Sequence, residues 1–96
     1  MKVTEELNTT INNTLKPIYD RLGITKPYSF KYIEETKEFV ADTPYETEED
    51  IYYLVIKMLD NNLGKVFLKS LALPYEKNEE TVLAGIKMEN GVLQLI

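Results

Sequence analysis

The chain has no cysteine and no histidine among its 96 residues. Without cysteine there can be no disulfide, thiolate metal site or thiol nucleophile. Without histidine the commonest general base and the commonest zinc ligand are missing as well. Long apolar runs are also absent: the opening MKVTEELNTT lacks the core of a signal peptide, and nothing approaches the ~18 residues that cross a membrane. No glycine-rich phosphate loop, triad or internal repeat occurs. These absences remove most enzyme classes. The expectation is a non-enzymatic, cytoplasmic protein with no cofactor, no metal and no membrane partner.

What remains is enough chain for a single domain, 44% apolar and carrying a net charge of −5. Between Glu34 and Asp50 lie eight acids and one lysine, which leaves eight acids and ten bases elsewhere. Such a belt repels phosphate, so no nucleic-acid partner is expected. Glu46, Glu48, Glu49 and Asp50 could in principle supply paired carboxylates, but with no pocket signature beside them they read as a solvated or helix-starting run. Asp60, Asn62 and Gly64 resemble the opening of a calcium loop. Lys65 and Leu71, however, occupy the positions where glycine and an acid are required, so a turn is expected. Asn8-Thr9-Thr10 and Asn12-Asn13-Thr14 fit the glycosylation pattern. With no secretory signal they read as surface polar residues.

Val3, Leu7, Ile11, Leu15, Ile18 and Leu22 recur at the spacing of one helical face. Thr4 ahead of Glu5 and Glu6 suits a helix start, and Gly23 suits its end. The polar run Asn8 to Thr14 has poor helix propensity, and Pro17 predicts a kink or restart. Residues 1–25 are thus expected to be a broken helical arm, docked on the domain or on a partner chain. Residues 26–96 are expected to be a single β-rich domain. Its first hairpin spans Lys26 to Phe39 and beyond, turning at Glu34-Glu35-Thr36-Lys37 and returning through Phe39-Val40-Ala41, with Pro44 ending the strand. Tyr28, Tyr32, Tyr52 and Tyr53 are expected to half-bury their rings at a sheet face. A last hairpin turns at Asn90-Gly91, because both residues tolerate positive φ. Upstream of it Phe67, Lys69, Leu71 and Leu73 alternate with Leu68, Ser70 and Ala72, and Pro74 closes that strand.

Residues Thr47 to Gly64 support two readings. Thr47 can cap a helix at about 47–62 with Ile51, Leu54, Val55, Met58 and Leu59 on one face. The run Ile51 to Ile56 consists equally of β-formers ahead of the turn-prone Asp60-Asn61-Asn62. The residues by themselves lean towards the helix.

The tail resembles the α-crystallin domain of small heat-shock proteins. Phe67-Leu68-Lys69-Ser70-Leu71-Ala72-Leu73-Pro74 is similar to that family's Phe-x-Arg-x-Phe-x-Leu strand, and Asn90-Gly91-Val92-Leu93-Gln94-Leu95 to its closing hairpin. Asp20-Arg21-Leu22, Pro27-Tyr28-Ser29-Phe30, Glu49-Asp50-Ile51 and Asp60-Asn61-Asn62-Leu63 follow in the family's order. Lys69 departs from the family's arginine, losing its planar fork. About two dozen residues that the family places before the Phe strand are missing, by that pattern. The resemblance implies a mainly β, antiparallel α-crystallin-like sandwich with a strand at 51–56. It also implies ATP-independent, holdase-like binding of apolar segments in a groove and at a sheet edge, and a possible homodimer. Its groove residues would be Ile51, Tyr53, Val55, Val92, Leu93 and Leu95. The alternative is a small acidic α+β adaptor, inhibitor or viral accessory protein with helices at about 4–22 and 47–62, binding one folded protein partner.

Overall fold

The computed structural model describes residues 3–70 and 79–96. A helix, α1 (Glu5–Leu22), is followed by β1 (Phe30–Ile33), β2 (Glu38–Ala41), β3 (Tyr45–Glu46), β4 (Ile51–Asp60), β5 (Leu63–Lys69), β6 (Glu80–Glu89) and β7 (Val92–Leu95). The strands form one antiparallel path, β1-β2-β4-β5-β6-β7, with β3 paired to the start of β4. The molecule is therefore mainly β, with one N-terminal helix and a curled antiparallel sheet. Among the described residues, the layer opposite the sheet is α1 rather than a second sheet.

The local signals at the helix ends act as their residue types require. The Thr4 hydroxyl accepts from Leu7 N–H at 3.1 Å, and Gly23 takes a left-handed φ of 75°. Of the kink or restart expected at Pro17, the restart is not there: α1 runs through it as one element. Pro17 leaves the carbonyl of Asn13 without its helical donor. Both residues lie on the exposed side, where water can serve that carbonyl. The helix is docked on the domain, one of the two placements expected for it. Ile11, Leu15, Ile18 and Tyr19 are buried in one cluster with Phe30, Ala41, Leu54, Ile56, Val66, Leu68 and Ile86 of the sheet.

Magnitudes explain how so poor a helix-forming run is helical. Six Asn and Thr residues cost about 0.6 kcal/mol each against alanine, and Pro17 adds about 3 kcal/mol. Full burial of Ile11, Leu15 and Ile18 returns roughly 1.5–3 kcal/mol apiece. The two sums are similar, so the helix depends on the sheet and on a set of side-chain hydrogen bonds.

Those bonds come from the run read as surface polarity. Asn8 and Asn12 Nδ2 both donate to the Tyr28 carbonyl, at 3.2 and 2.8 Å. Asn12 Oδ1 accepts from Tyr28 N–H and Asn8 Oδ1 from Phe30 N–H, both at 3.0 Å. The two amides thus take the place of a neighbouring strand at the β1 edge, and the Tyr19 hydroxyl donates to the same Asn12 Oδ1. On the far side of the helix Thr14 donates to the Leu93 carbonyl of β7 at 3.3 Å. Six flat strands would hold β1 and β7 about 24 Å apart, at ~4.8 Å per step. One helix, about 10–12 Å across, reaches both, so the sheet curls around it.

The helix of the alternative reading at 47–62 is absent; the segment is the ten-residue strand β4, in the central part of the sheet. Tyr52, Leu54, Ile56 and Met58 face α1, while Tyr53 and Val55 face away, and both sets are at least partly buried. A strand covered on both faces uses an all-round apolar run fully, whereas a surface helix would leave half of it wet. Thr47, the supposed helix cap, instead closes a turn: its hydroxyl accepts from Asp50 N–H at 2.9 Å. The hairpin turns follow expectation, with Lys37 at φ 57° in the first and Asn90 and Gly91 at 52° and 77° in the last. The continuation expected through Leu71 to Pro74 lies outside the described residues.

Two outcomes are expected. A peptide of residues 1–25 should give a largely unstructured far-ultraviolet circular dichroism spectrum, because it lacks the sheet that offsets its propensity deficit. In the whole protein, Asn12→Ala should lower the urea-unfolding free energy by about 1–3 kcal/mol, the cost of leaving buried partners unpaired. Asn13→Ala on the exposed side should change it by no more than about 0.5 kcal/mol.

Candidate protein-interaction site

The six residues expected to frame a groove fall into three places. Ile51, Tyr53 and Val55 alternate onto the outer face of the sheet, the one turned away from α1. Leu93 and Leu95 pack on the inner side against the main core, and Val92 is exposed beside the last turn. Val55 has no exposure at all. β5 and β6 separate β4 from β7, and the expected groove between those two strands is not assembled. The reason is connectivity: two-residue turns at Asn61-Asn62 and Asn90-Gly91 force each strand to pair with the next.

The outer face carries its own apolar cluster of Val40, Val55 and Phe67, flanked by Ile33 and Tyr53. Cross-strand register aligns Val40 with Val55 and Val55 with Phe67. Glu38 lies one row to one side of that line and Lys69 one row to the other, yet their Oε2 and Nζ atoms meet at 3.3 Å. The ion pair must therefore cross the row diagonally, which helps to close it over Val55. Glu80 joins Lys69 at 3.3 Å. Glu38 is nearly fully buried, so it is a structural partner and not part of a solvated acidic belt.

Exposed apolar side chains gather elsewhere. Leu59, Leu63, Met88 and Val92 are 51%, 49%, 37% and 52% exposed. They flank two hairpin tips, β4–β5 and β6–β7, that lie side by side. Register places Leu63 opposite Lys87, and Met88 N–H donates to the Asn62 carbonyl at 2.7 Å. Asn61 and Asn62 both adopt positive φ (43° and 64°), the geometry of a tight hairpin turn. Pairing shifts between Met58 and Asp60, which leaves Leu59 as a bulge pushed outward. Gly64 permits the tip to close, since a Cβ there would collide with the Lys57 carbonyl oxygen and Met58 Sδ. The faint calcium-loop pattern at Asp60, Asn62 and Gly64 is accordingly a turn and a close-packed strand start.

Sequence reasoning singled out Val92 but not Leu59, Leu63 or Met88. The available signal was the apolar residue on either side of each Asn-rich turn, which resembles core until the pairing of the two tips is known. Among the described residues no three acidic side chains converge as a cation site. Glu46, Glu48 and Glu49 are exposed around the Thr47 turn. Shallow clefts flank Ile24 to Pro27, lined on one side by Asn12, Lys16, Tyr19 and Asp20 and on the other by Thr43 and Tyr45. The side-chain oxygen of Asn12 is already spent on Tyr19 and Tyr28 there. Among the described residues no helix is long and apolar enough to cross a membrane.

No protein-family model, no curated protein and no solved structure matches the chain.

Burial lowers the Lys69 ammonium pKa, but the hydrogen bonds and charges of Glu38 and Glu80 outweigh it, so the group is held above its ordinary 10.5. A raised pKa contributes stability that is complete below the unfolded value and is lost as pH rises through the folded one. Burial raises the hydroxyls of Tyr19 and Tyr28 also, with the same sign. Wild-type stability should therefore fall above about pH 10, and the part due to Lys69 should be missing from Lys69→Met. At neutral pH that variant should be about 1–3 kcal/mol less stable, because the buried Glu38 carboxylate loses its cation. Adding Glu38→Gln should recover part of the loss, measured by urea unfolding of the two variants.

Proposed function

We propose that the protein is a non-catalytic binding module for one folded protein partner, engaged through the paired hairpin tips. One observation carries this: Leu63 and Val92 stand exposed on one face of two tips joined by a backbone hydrogen bond, with Leu59 bulged out on the first tip and Met88 exposed on the opposite face of the second. A few such anchors suffice for recognition where a polar rim excludes water around them. The rim here is polar and carries both signs, Asp60, Asn61, Asn62, Glu89 and Asn90 together with Lys87 opposite Leu63, so the matching surface is apolar at its centre and polar around it.

The reading is closest to the adaptor or inhibitor class. The holdase class needs a groove for extended segments, and the residues expected to form one are distributed over an outer face, an inner face and a tip. The test begins with a photo-crosslinker at Leu63 in cells, with the same probe at Thr9 on the exposed face of α1 as control. The protein captured only from Leu63 is then purified. It should bind wild type and bind Leu63→Ser/Val92→Ser at least tenfold more weakly, while the variant keeps its unfolding midpoint. Equal binding by both chains would overturn the role of the tips. Suppression of aggregation of unrelated heated proteins, by wild type but not by the variant, would replace the dedicated partner with many unfolded clients.

A further inference from the structure

Two lysines beside the tips have no counter-charge. Lys57 and Lys65 stand directly opposite each other on the outer face of the sheet, and like charges so placed on neighbouring strands are unfavourable. On its other side Lys57 faces Glu38, whose carboxylate is held by Lys69 at 3.3 Å. On its other side Lys65 faces Gly85, which has no side chain to offer. Along the strands the same-face neighbours are Val55 and Phe67 in one direction, both buried, and Leu63 in the other, 49% exposed. Lys87 lies opposite Leu63, but its ammonium is paired to Glu89 at 3.1 Å. Among the described residues neither Lys57 nor Lys65 takes part in an ion pair.

Gly85 also leaves room. A side-chain carbon there would have Ile96 Cδ1 as its nearest neighbour, 3.6 Å away. The space over Gly85 is thus a gap one side chain wide, with Lys65 on one side and Ile96, 72% exposed, on the other. Leu63 continues the apolar margin towards the tip. Two unmatched ammonium groups set against apolar surface suit a carboxylate, which forms short charge-assisted hydrogen bonds to them. They suit a surface dense in phosphate much less, because Asp60 and Glu89 on the same tips would repel it.

We infer that the partner engaged by the tips carries an acidic side chain, Asp or Glu, beside its apolar contact, and that Lys57 and Lys65 receive its carboxylate. This rests on the role proposed for the tips, since Leu63 belongs to both contacts. The repulsion within the lysine pair is relieved when the carboxylate arrives. A partner with a base at that point would meet two cations instead, so the pair selects by sign where Leu63 and Val92 select by shape.

The test uses a defined peptide and the protein captured through Leu63. Backbone amide shifts of the isotope-labelled whole chain, titrated with acetyl-Leu-Glu-Leu-Glu-Leu amide, should move most at Lys57, Leu63, Lys65 and Gly85. The same peptide with Gln for Glu should move them little. Lys57→Met/Lys65→Met keeps the apolar stems and should lose the response to the acidic peptide. That variant should be at least as stable to urea as wild type, because a like-charge pair is gone; a structural role for the lysines would make it less stable. It should bind the captured protein at least tenfold more weakly, and wild-type affinity should fall as salt is raised. Equal binding by wild type and Lys57→Met/Lys65→Met, with Leu63→Ser/Val92→Ser still weakened, would overturn the inference and leave the role of the tips standing. The reverse pattern would overturn the tips and keep the acidic contact. An equal response to both peptides would also overturn the inference. So would a wild-type dimer, or uptake onto phosphatidylserine vesicles, that Lys57→Met/Lys65→Met abolishes; these would assign the lysines to a second copy or to a membrane.

Discussion

Two asparagine side chains bear on most of this fold. Asn8 and Asn12 present amide donors and acceptors to the backbone of Tyr28 and Phe30, as a neighbouring strand would. Because they stand on a helix, the edge they complete is drawn towards that helix. Thr14, two residues on, draws the opposite edge at Leu93 to the same helix. The curl of the sheet and the burial of Ile11, Leu15 and Ile18 within it follow from that double attachment. Backbone groups left open at a sheet edge would pair with other chains or with water. Here an N-terminal segment with little helical tendency of its own answers part of that need at both ends.

What could be read from the residues was local. Thr4 and Gly23 marked the helix, Glu34 to Lys37 and Asn90-Gly91 marked hairpins, and Pro44 marked a stop, each through a conformational preference carried by one or two residues. Three features depended on what lies far away in sequence. The strand at Ile51 to Asp60 looked helical because a central strand is apolar on both sides, which erases the period that would distinguish it. Asn8 and Asn12 looked like surface residues because their partners are sixteen to twenty-two positions distant. The strand order also could not be found in local pattern. Val55 and Leu95, placed together by resemblance, are separated by two strands that only the connections reveal.

Charge behaves in the same way. Along the chain the acids of positions 34–50 form a belt and the lysines look scattered. Folding takes Glu38 out of the belt and buries it under Lys69, then gathers Lys57, Lys65 and Lys87 from three different strands at one end of one face. The net charge of −5 therefore says little about any particular surface. It is the sum of an outer face that carries both signs and loops that are mainly acidic.

The attachment of α1 also constrains what kind of recognition the molecule can perform. Binding of unfolded chains in extended form draws on main-chain hydrogen bonds along an open edge, which are indifferent to sequence. In this fold Tyr28, Phe30 and Leu93, all on the outermost strands or leading into them, already direct backbone groups at helix side chains. Exposed side-chain surface is also present: apolar residues at the hairpin tips, and an outer face that carries charges of both signs. Side-chain surfaces discriminate by shape and sign, since a wrong partner leaves charges unpaired and apolar area wet. On the proposed reading, the engagement of edge backbone groups at Tyr28, Phe30 and Leu93 within the chain favours a few definite partners over many.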